Sequence, residues 1–283
     1  MTDGVFILGA GRAGRGLSRA LRASGVDVIG LHGRRAELGP DVITAGPLPT
    51  ALADATVVIV AVRDGQLDDA LGELAAATLA PGAVVLHASG SAEPRGLELL
   101  RAQGDPCGTF HPLVPLADPA RAAELLRGAW IGTDGDREAI EAAERLARRL
   151  GAHTLRIPAG EKAQYHAAAV FASNFPTVLA AVAAQLLVGV GVGEEDAWGA
   201  IGALMRGAVA NLDGATPAQA LTGPIARGDV GTVRKHLEAL ASHPETLALY
   251  TALSRVAVEL AERGEAPSQA LGEIARLLGD AAR

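Results

Sequence analysis

The sequence predicts an α/β protein in two parts: a doubly wound, mostly parallel sheet over residues 1–158, then an all-α domain over 159–283. Three observations carry this expectation. Short apolar runs alternate with helix-period segments through the first half, the pattern of strand–helix–strand units. The first run ends in Gly9-x-Gly11-x-x-Gly14. Beyond Ile157 no strand pattern recurs, and the composition shifts to alanine-rich helix.

Val5 to Leu8 reads as a buried parallel strand, and Arg15 to Leu21 carries apolar positions at helical spacing. Strand, glycine turn and helix are the context in which this motif binds a dinucleotide, the fingerprint of a Rossmann domain. Gly9 permits the tight turn, Gly11 lets a pyrophosphate approach the backbone, and Gly14 lets helix and strand pack closely. The phosphates then sit at the positive end of the helix, where Arg12 and Ala13 fall. Val26 to Leu31 is the second strand. An NAD site carries a carboxylate near the end of this strand, to bind the ribose 2′-hydroxyl. Here the end is Leu31-His32-Gly33-Arg34-Arg35, with no carboxylate before Glu37. His32, Arg34 and Arg35 suit a 2′-phosphate, because guanidinium pairs bidentately with phosphate, so the cofactor expected is NADP(H).

Ala55 to Val62 is an almost continuous β-branched run, a strand covered on both faces, with Ala61 and Val62 bordering the cofactor crevice. Asp64 beyond it reads as the cap of a helix from Gly65 to Ala77 in preference to a catalytic carboxylate. Ala83 to His87 follows a Pro81-Gly82 turn as the next strand and runs into Ala88-Ser89-Gly90-Ser91. The hydroxyls there, Ser89 foremost, could hold a substrate carboxylate or a nicotinamide, or equally close a turn before a helix from Pro94 to Ala102. Pro112 and Pro115 stiffen the segment Gly108 to Leu116 and push His111 into extended geometry. Imidazole titrates near neutral pH, so His111 is a candidate proton carrier. Ala129 to Thr133 reads as a strand, Arg137 to Leu150 as a helix and His153 to Ile157 as the last strand.

The second half opens on a helix in which Lys162 and His166 lie roughly 40° apart, Ser173 falls between them and Asn174 sits on the flank. Polar groups on one stripe of an Ala/Val/Phe helix are costly to bury unless they are used or satisfied. Pro176 should bend the helix beside Ser173 and Asn174. The longest apolar stretch, Val178 to Val192, is interrupted by Gln185, Gly189 and Gly191 and reads as a buried helix rather than a membrane span. Further helices are expected over 194–212, 217–221, 230–241, 245–263 and 268–282. Asp229 is placed to cap the helix at 230, and the loop Thr222 to Asp229, with Arg227, suits either a structural or a substrate role.

A net charge of −7 with no basic run argues against nucleic acid as a partner. Cys107 is the only cysteine, which excludes an internal disulfide and a Cys-rich zinc site, and no metal centre is expected. The first strand begins by Val5, too early to leave room for a signal peptide, so the expected compartment is the cytoplasm.

With these residues in hand, the chain resembles the 6-phosphogluconate-dehydrogenase-like oxidoreductases. More narrowly, it is similar to a bacterial group of Rossmann-like NADP oxidoreductases whose all-helical C-terminal domain has no assigned function. The matching features are Gly9-x-Gly11-x-x-Gly14, Ser89-Gly90, Phe110-His111-Pro112-Leu113, Lys162-x-x-Tyr165-His166 with Ser173-Asn174, and Thr222 to Asp229. The resemblance implies a cofactor crevice at the carboxyl edge of the sheet, a small-molecule substrate and a homodimer formed through the helical domain. Hydroxyacid dehydrogenases of the superfamily carry a helical Lys, acting as acid/base, and an Asn four residues on. Lys162 matches, but His166 stands at the Asn position and the nearest asparagine is Asn174. His111-Pro112 is also similar to a segment of prephenate dehydrogenases, although Leu113-Val114-Pro115 replaces the usual Met-Phe-Gly. Pyrroline-5-carboxylate reductases share the architecture. The expected activity is hydride transfer between NADP(H) and a small carbonyl, imine or hydroxy acid. Lys162 or His166 would exchange the proton, with His111 and Ser89 orienting the substrate. The alternative from another class is a non-catalytic NADP(H)-binding sensor or scaffold, which a solvent-facing Lys162 would favour.

Overall fold

A computed structural model describes residues 3–264 and 266–281. The chain divides into two compact units, the first ending at Phe175 and the second starting at Pro176.

In the first unit, β1 (Gly4–Leu8), β2 (Asp27–His32), β3 (Val57–Val60), β4 (Val84–His87) and β5 (Cys107–Thr109) form one parallel sheet in the order β2-β1-β3-β4-β5. Thr44 adds an isolated parallel bridge to His32, outside β2. Counting that bridge as a vestigial strand gives the order 3-2-1-4-5-6 of dinucleotide-binding sheets, and the order reverses beside β1, where ligands bind. The alternation within each strand explains the two cores. Ile7, Ile59 and Leu86 face α1 (Arg12–Ala23) and α5 (Arg137–Leu150), where they pack with Leu17, Leu21 and Leu146. Their neighbours Phe6, Val58 and Val85 face α2 (Leu67–Ala75) and α3 (Gly96–Ala102), meeting Leu71, Leu74 and Leu100. Both faces are covered, so the strands are continuously apolar, as the doubly wound expectation requires.

The segment after Gly108 holds more structure than its prolines suggest. A two-residue strand β6 (His111–Pro112) pairs antiparallel with β7 (Trp130–Thr133), which runs parallel to β8 (His153–Arg156), and α4 (Ala122–Leu126) lies between β6 and β7 in the chain. Strands of two and three residues are too short for a periodicity to register. Asp64 is not a helix cap. It opens a short 3₁₀ turn that has no side-chain cap, and its carboxylate accepts a hydrogen bond from Ser91 Oγ at 2.9 Å.

Helix α6 (Lys162–Gly189) runs through Pro176 without interruption. It is followed by α7 (Glu194–Ala210), α8 (Pro217–Ala220), α9 (Val230–Leu240), α10 (Pro244–Ala261) and α11 (Ser268–Asp280). Ala282, expected in the last helix, lies outside the described residues. Asp229 caps α9 as expected, accepting from Thr232 N at 3.0 Å. In the loop before it Ile225 is buried with Val233, Val258 and Ile274, while Arg227 is exposed.

The stretch Val178 to Val192 is not a buried helix. Only 6 % of the most apolar 18-residue window of α6 is buried, and Val190 beyond it is 79 % exposed. Among the described residues α6 is the one helix long and apolar enough to cross a membrane. Its apolar residues run around the whole circumference instead of forming one stripe, so the chain's own neighbours leave much of it uncovered.

Leu146 is fully buried between α5 and the sheet. Leu146→Ala is expected to cost about 2–5 kcal/mol, read as a lower denaturant midpoint at unchanged slope.

Candidate functional site

The glycine turn between β1 and α1 divides its labour as the motif demands. Gly9 has φ +116°, and a Cβ there would overlap the Ala61 carbonyl. A Cβ at Gly14 would overlap the Gly9 carbonyl, whereas one at Gly11 would meet nothing within 4 Å. The turn is therefore packed against protein at its first and third glycines and open at the second. Gly11 caps α1 with no side-chain hydrogen bond, so the first-turn N–H groups keep their capacity for an anion. Arg12 is exposed there and Ala13 half-buried. On the β3 side Ala61 is buried, its N–H donating to Leu8 O at 2.7 Å, and Val62 is half-buried.

Arg34 and Arg35 stand exposed beyond β2, with no acidic partner among the described residues. Glu37 is gripped by Arg15 at 2.5 and 2.9 Å, and Asp41 by Arg19 at 2.6 Å. His32 departs from its expected role as a phosphate ligand. It is 5 % exposed, with Nδ1 2.8 Å from Thr44 Oγ1 and Nε2 3.1 Å from Gly46 O. Both ring nitrogens are spent on bracing the loop.

Lys162, the first residue of α6, points inward and is 4 % exposed. Its ammonium lies 3.1 Å from Asp134 Oδ2, 3.1 Å from Ala92 O and 3.3 Å from His87 Nε2. Its three N–H groups face three protein partners, an anchoring arrangement rather than the substrate-facing one expected of an acid/base. The partners come from β4, from the loop after it and from the loop after β7, so the contact pins the start of α6 to the sheet. His87 is wholly buried and also touches Thr109 Oγ1 at 3.1 Å, while its Nδ1 has no partner. Burial, followed by the neighbouring charge of Lys162, pushes the His87 imidazole down to about 3, so it stays neutral.

One turn along α6, the Tyr165 hydroxyl lies 2.7 Å from His111 Nδ1, with the rings edge-to-face at 5.5 Å. Two glycines make room for this pair. A Cβ at Gly90 would come within 2.5 Å of the His111 ring, and one at Gly132 would run into the Tyr165 hydroxyl. Burial, then the nearby His166, lowers His111 to about 4, and burial raises the Tyr165 phenol above its usual range. The His166 ring is 6.0 Å from that of His111, with its own Nδ1 buried and unpartnered. Tyr165 is not among the site residues the sequence singles out, although its place three residues after Lys162 puts it on the same side of the helix.

The remaining candidates separate. Ser89 is a turn brace whose Oγ accepts from Ala92 N at 3.0 Å. Asn174 is exposed and lies eight residues beyond His166, about 12 Å along the helix, so it does not join the cluster. A cavity of about 850 Å³ opens between Arg95, Arg156, Asp134 and Lys162, but no residue of the glycine turn lines it.

Two outcomes follow from this geometry. Lys162→Met leaves Asp134 without its counter-charge and is expected to cost about 3–5 kcal/mol of stability, with most of the loss recovered in Lys162→Met/Asp134→Leu, measured by denaturant unfolding. The pH dependence has a defined sign. His111 and His87 titrate below their usual 6.5 when folded. An unfolded chain therefore takes up protons that the folded chain refuses, and stability complete above pH 6.5 falls as the pH drops through about 4 toward 3. Unfolding midpoints across this range check it, and His111→Asn should flatten the upper part.

No curated protein matches the chain in sequence. Residues 129–257 match the family described as a domain of unknown function, DUF2520. Among solved structures, a protein from Thermotoga maritima is similar at 25 % identity and TM-score 0.70, over 92 % of this chain and 98 % of that one. A proposed NADP oxidoreductase from Bacteroides fragilis aligns at 21 % identity and TM-score 0.69, over 90 % and 97 %. Pyrroline carboxylate reductase from Plasmodium falciparum, solved with NADP bound, aligns at 9 % identity and TM-score 0.62, over 98 % of each chain. The chain is thus similar over residues 129–257 to DUF2520 and shares the fold of these solved structures, as the resemblance of its sequence to Rossmann-like NADP oxidoreductases implies.

Proposed function

We propose that the protein is an NADP(H)-dependent oxidoreductase that transfers hydride to or from a small carbonyl, imine or hydroxy-acid substrate at the carboxyl edge of the parallel sheet. The observation that carries this reading is the pairing of His111 with Tyr165 at 2.7 Å, seated against Gly90 in the loop that leaves β4 at that edge. The cofactor half rests on the glycine turn, open only at Gly11, and on Arg34 and Arg35, exposed and unpaired among the described residues. These residues fit a pyrophosphate and a 2′-phosphate respectively. The likeness to NADP-bound pyrroline carboxylate reductase supports the same cofactor.

Bound NADP(H) supplies or accepts the hydride; the chain supplies proton handling and orientation. Tyr165 donates its hydroxyl proton to His111 Nδ1, which places the other imidazole proton on Nε2. Nε2–H then donates to the oxygen or nitrogen of the reacting double bond. In reduction Nε2 gives its proton to the substrate while Nδ1 takes the phenol proton, and solvent returns a proton to the phenolate; oxidation runs the same relay backwards and releases the substrate's proton to solvent through Tyr165. Burial keeps His111 neutral at physiological pH, so both tautomers are available. Lys162 serves by holding the first turn of α6 where Tyr165 meets His111.

We read the uncovered apolar residues of the second unit as a homodimer face. Val178 and Leu186 of α6 and Trp198 and Leu204 of α7 are all exposed in the single chain. The first turn of α6 is fastened inside the α/β unit by Lys162 and Tyr165, which speaks for a second copy over a lipid bilayer as its cover.

The test is binding and turnover. NADPH should bind more tightly than NADH, and one or more small carboxylated ketones or cyclic imines should oxidise NADPH. Tyr165→Phe and His111→Asn should each lower turnover by about 10²–10⁴-fold with NADPH affinity unchanged. NADPH binding without turnover on any such substrate would favour the sensor; no dinucleotide binding would refute the reading. Light scattering should give twice the chain mass.

A further inference from the structure

Arg15 has no part in the glycine fingerprint, yet it joins two segments of the dinucleotide site. Its Nε donates to Ala10 O, inside the glycine turn, at 3.1 Å. Its two terminal nitrogens take both oxygens of Glu37 at 2.9 and 2.5 Å, a fork-to-fork grip. One of them also lies 3.9 Å from Asp41, whose carboxylate is held in turn by Arg19 of the same helix. His32 ties the far limb of this loop through Thr44 and Gly46, and Gly33 N donates to Thr44 O at 2.9 Å. The loop of residues 33–46 is thus fastened to α1 and β2 at several points.

The consequence concerns charge. Glu37 is the first carboxylate after β2, five residues past the strand end, in the region where an acidic side chain would recognise a ribose diol. Arg15 withdraws that carboxylate, and Arg19 withdraws Asp41. What the loop still presents to a ligand is Arg34 and Arg35, both exposed and unpaired among the described residues. Arg15 stays half-buried, committed to Glu37 and to the turn.

Building on the NADP(H) reading, we propose that Arg15 is a specificity-determining residue. By sequestering Glu37 it prevents recognition of the unphosphorylated ribose of NAD(H) and removes a carboxylate that would repel the 2′-phosphate. It does not itself need to touch the cofactor. The selectivity would come from a charge kept out of the site as much as from the two arginines that receive the phosphate.

The test is the ratio of NADPH to NADH affinity, measured by fluorescence titration on the full chain. In Arg15→Ala, with Glu37 released, the ratio should fall by about tenfold or more, the effect of one charge-assisted hydrogen bond gained and one repulsion introduced. Arg15→Ala/Glu37→Ala should restore it, because the effector is the freed carboxylate. Arg15→Gln should move the ratio in the same direction if the alanine variant does not fold. Glu37→Ala alone should leave the ratio unchanged. A purely structural Arg15 would weaken both nucleotides equally, and that result, or a ratio unmoved by Arg15→Ala and Arg15→Gln, overturns the proposal while the NADP(H) reading stands. A wild-type chain that binds neither nucleotide, or prefers NADH, overturns that reading and with it the proposal.

Discussion

The buried contact between Lys162 and Asp134 is the constraint on which the rest of the candidate site depends. An ammonium removed from water is tolerated only when its three N–H groups all find acceptors, and Asp134, Ala92 and His87 supply them from three separate stretches of chain. That requirement fixes the direction and the rotation of the first turn of α6. Tyr165 follows three residues later, so it is presented to His111 at hydrogen-bonding distance. Lys162, expected as an acid/base, is held as an anchor, and Tyr165 one turn on is the group that meets His111.

Around this anchor burial keeps His87, His111 and Tyr165 neutral. His87 and His111 are pushed toward 3 and 4 by burial, and the phenol of Tyr165 is pushed upward by the same cause. The Lys162 charge is matched by Asp134. In the proposed relay the proton exchanged with the substrate is replaced through Tyr165 from solvent, so the pair ends each turnover neutral. The glycines at 90 and 132 belong to the same device, since any side chain there would occupy the space of His111 or of the Tyr165 hydroxyl.

At the other end of the site, electrostatics are managed by exclusion. The glycine turn leaves its backbone open at Gly11, while Arg15 and Arg19 draw the loop carboxylates onto α1. His32 braces the same loop from within. Fold and specificity share these contacts, which order a long loop and at the same time decide which charges it shows.

By itself the sequence determined the doubly wound sheet, the glycine turn, the cap at Asp229 and the change to helix after residue 157. These rest on local rules: apolar runs of strand length, glycines at fixed offsets and a side chain that bonds three residues ahead. It also marked His111, Lys162 and His166 as chemically loaded, because polar groups in apolar surroundings stand out in one dimension. Only the tertiary structure decided their roles. The partners of Lys162 are 28 to 75 residues away, so no spacing announces that it is held as an anchor or that Asn174 lies too far along the helix. His32 beside two arginines reads as a phosphate ligand until Thr44 and Gly46 fold back to claim both its nitrogens. Hydrogen-bond saturation is a property of three-dimensional neighbours, and for that reason the chain spells out which groups are present but not which of them remain free.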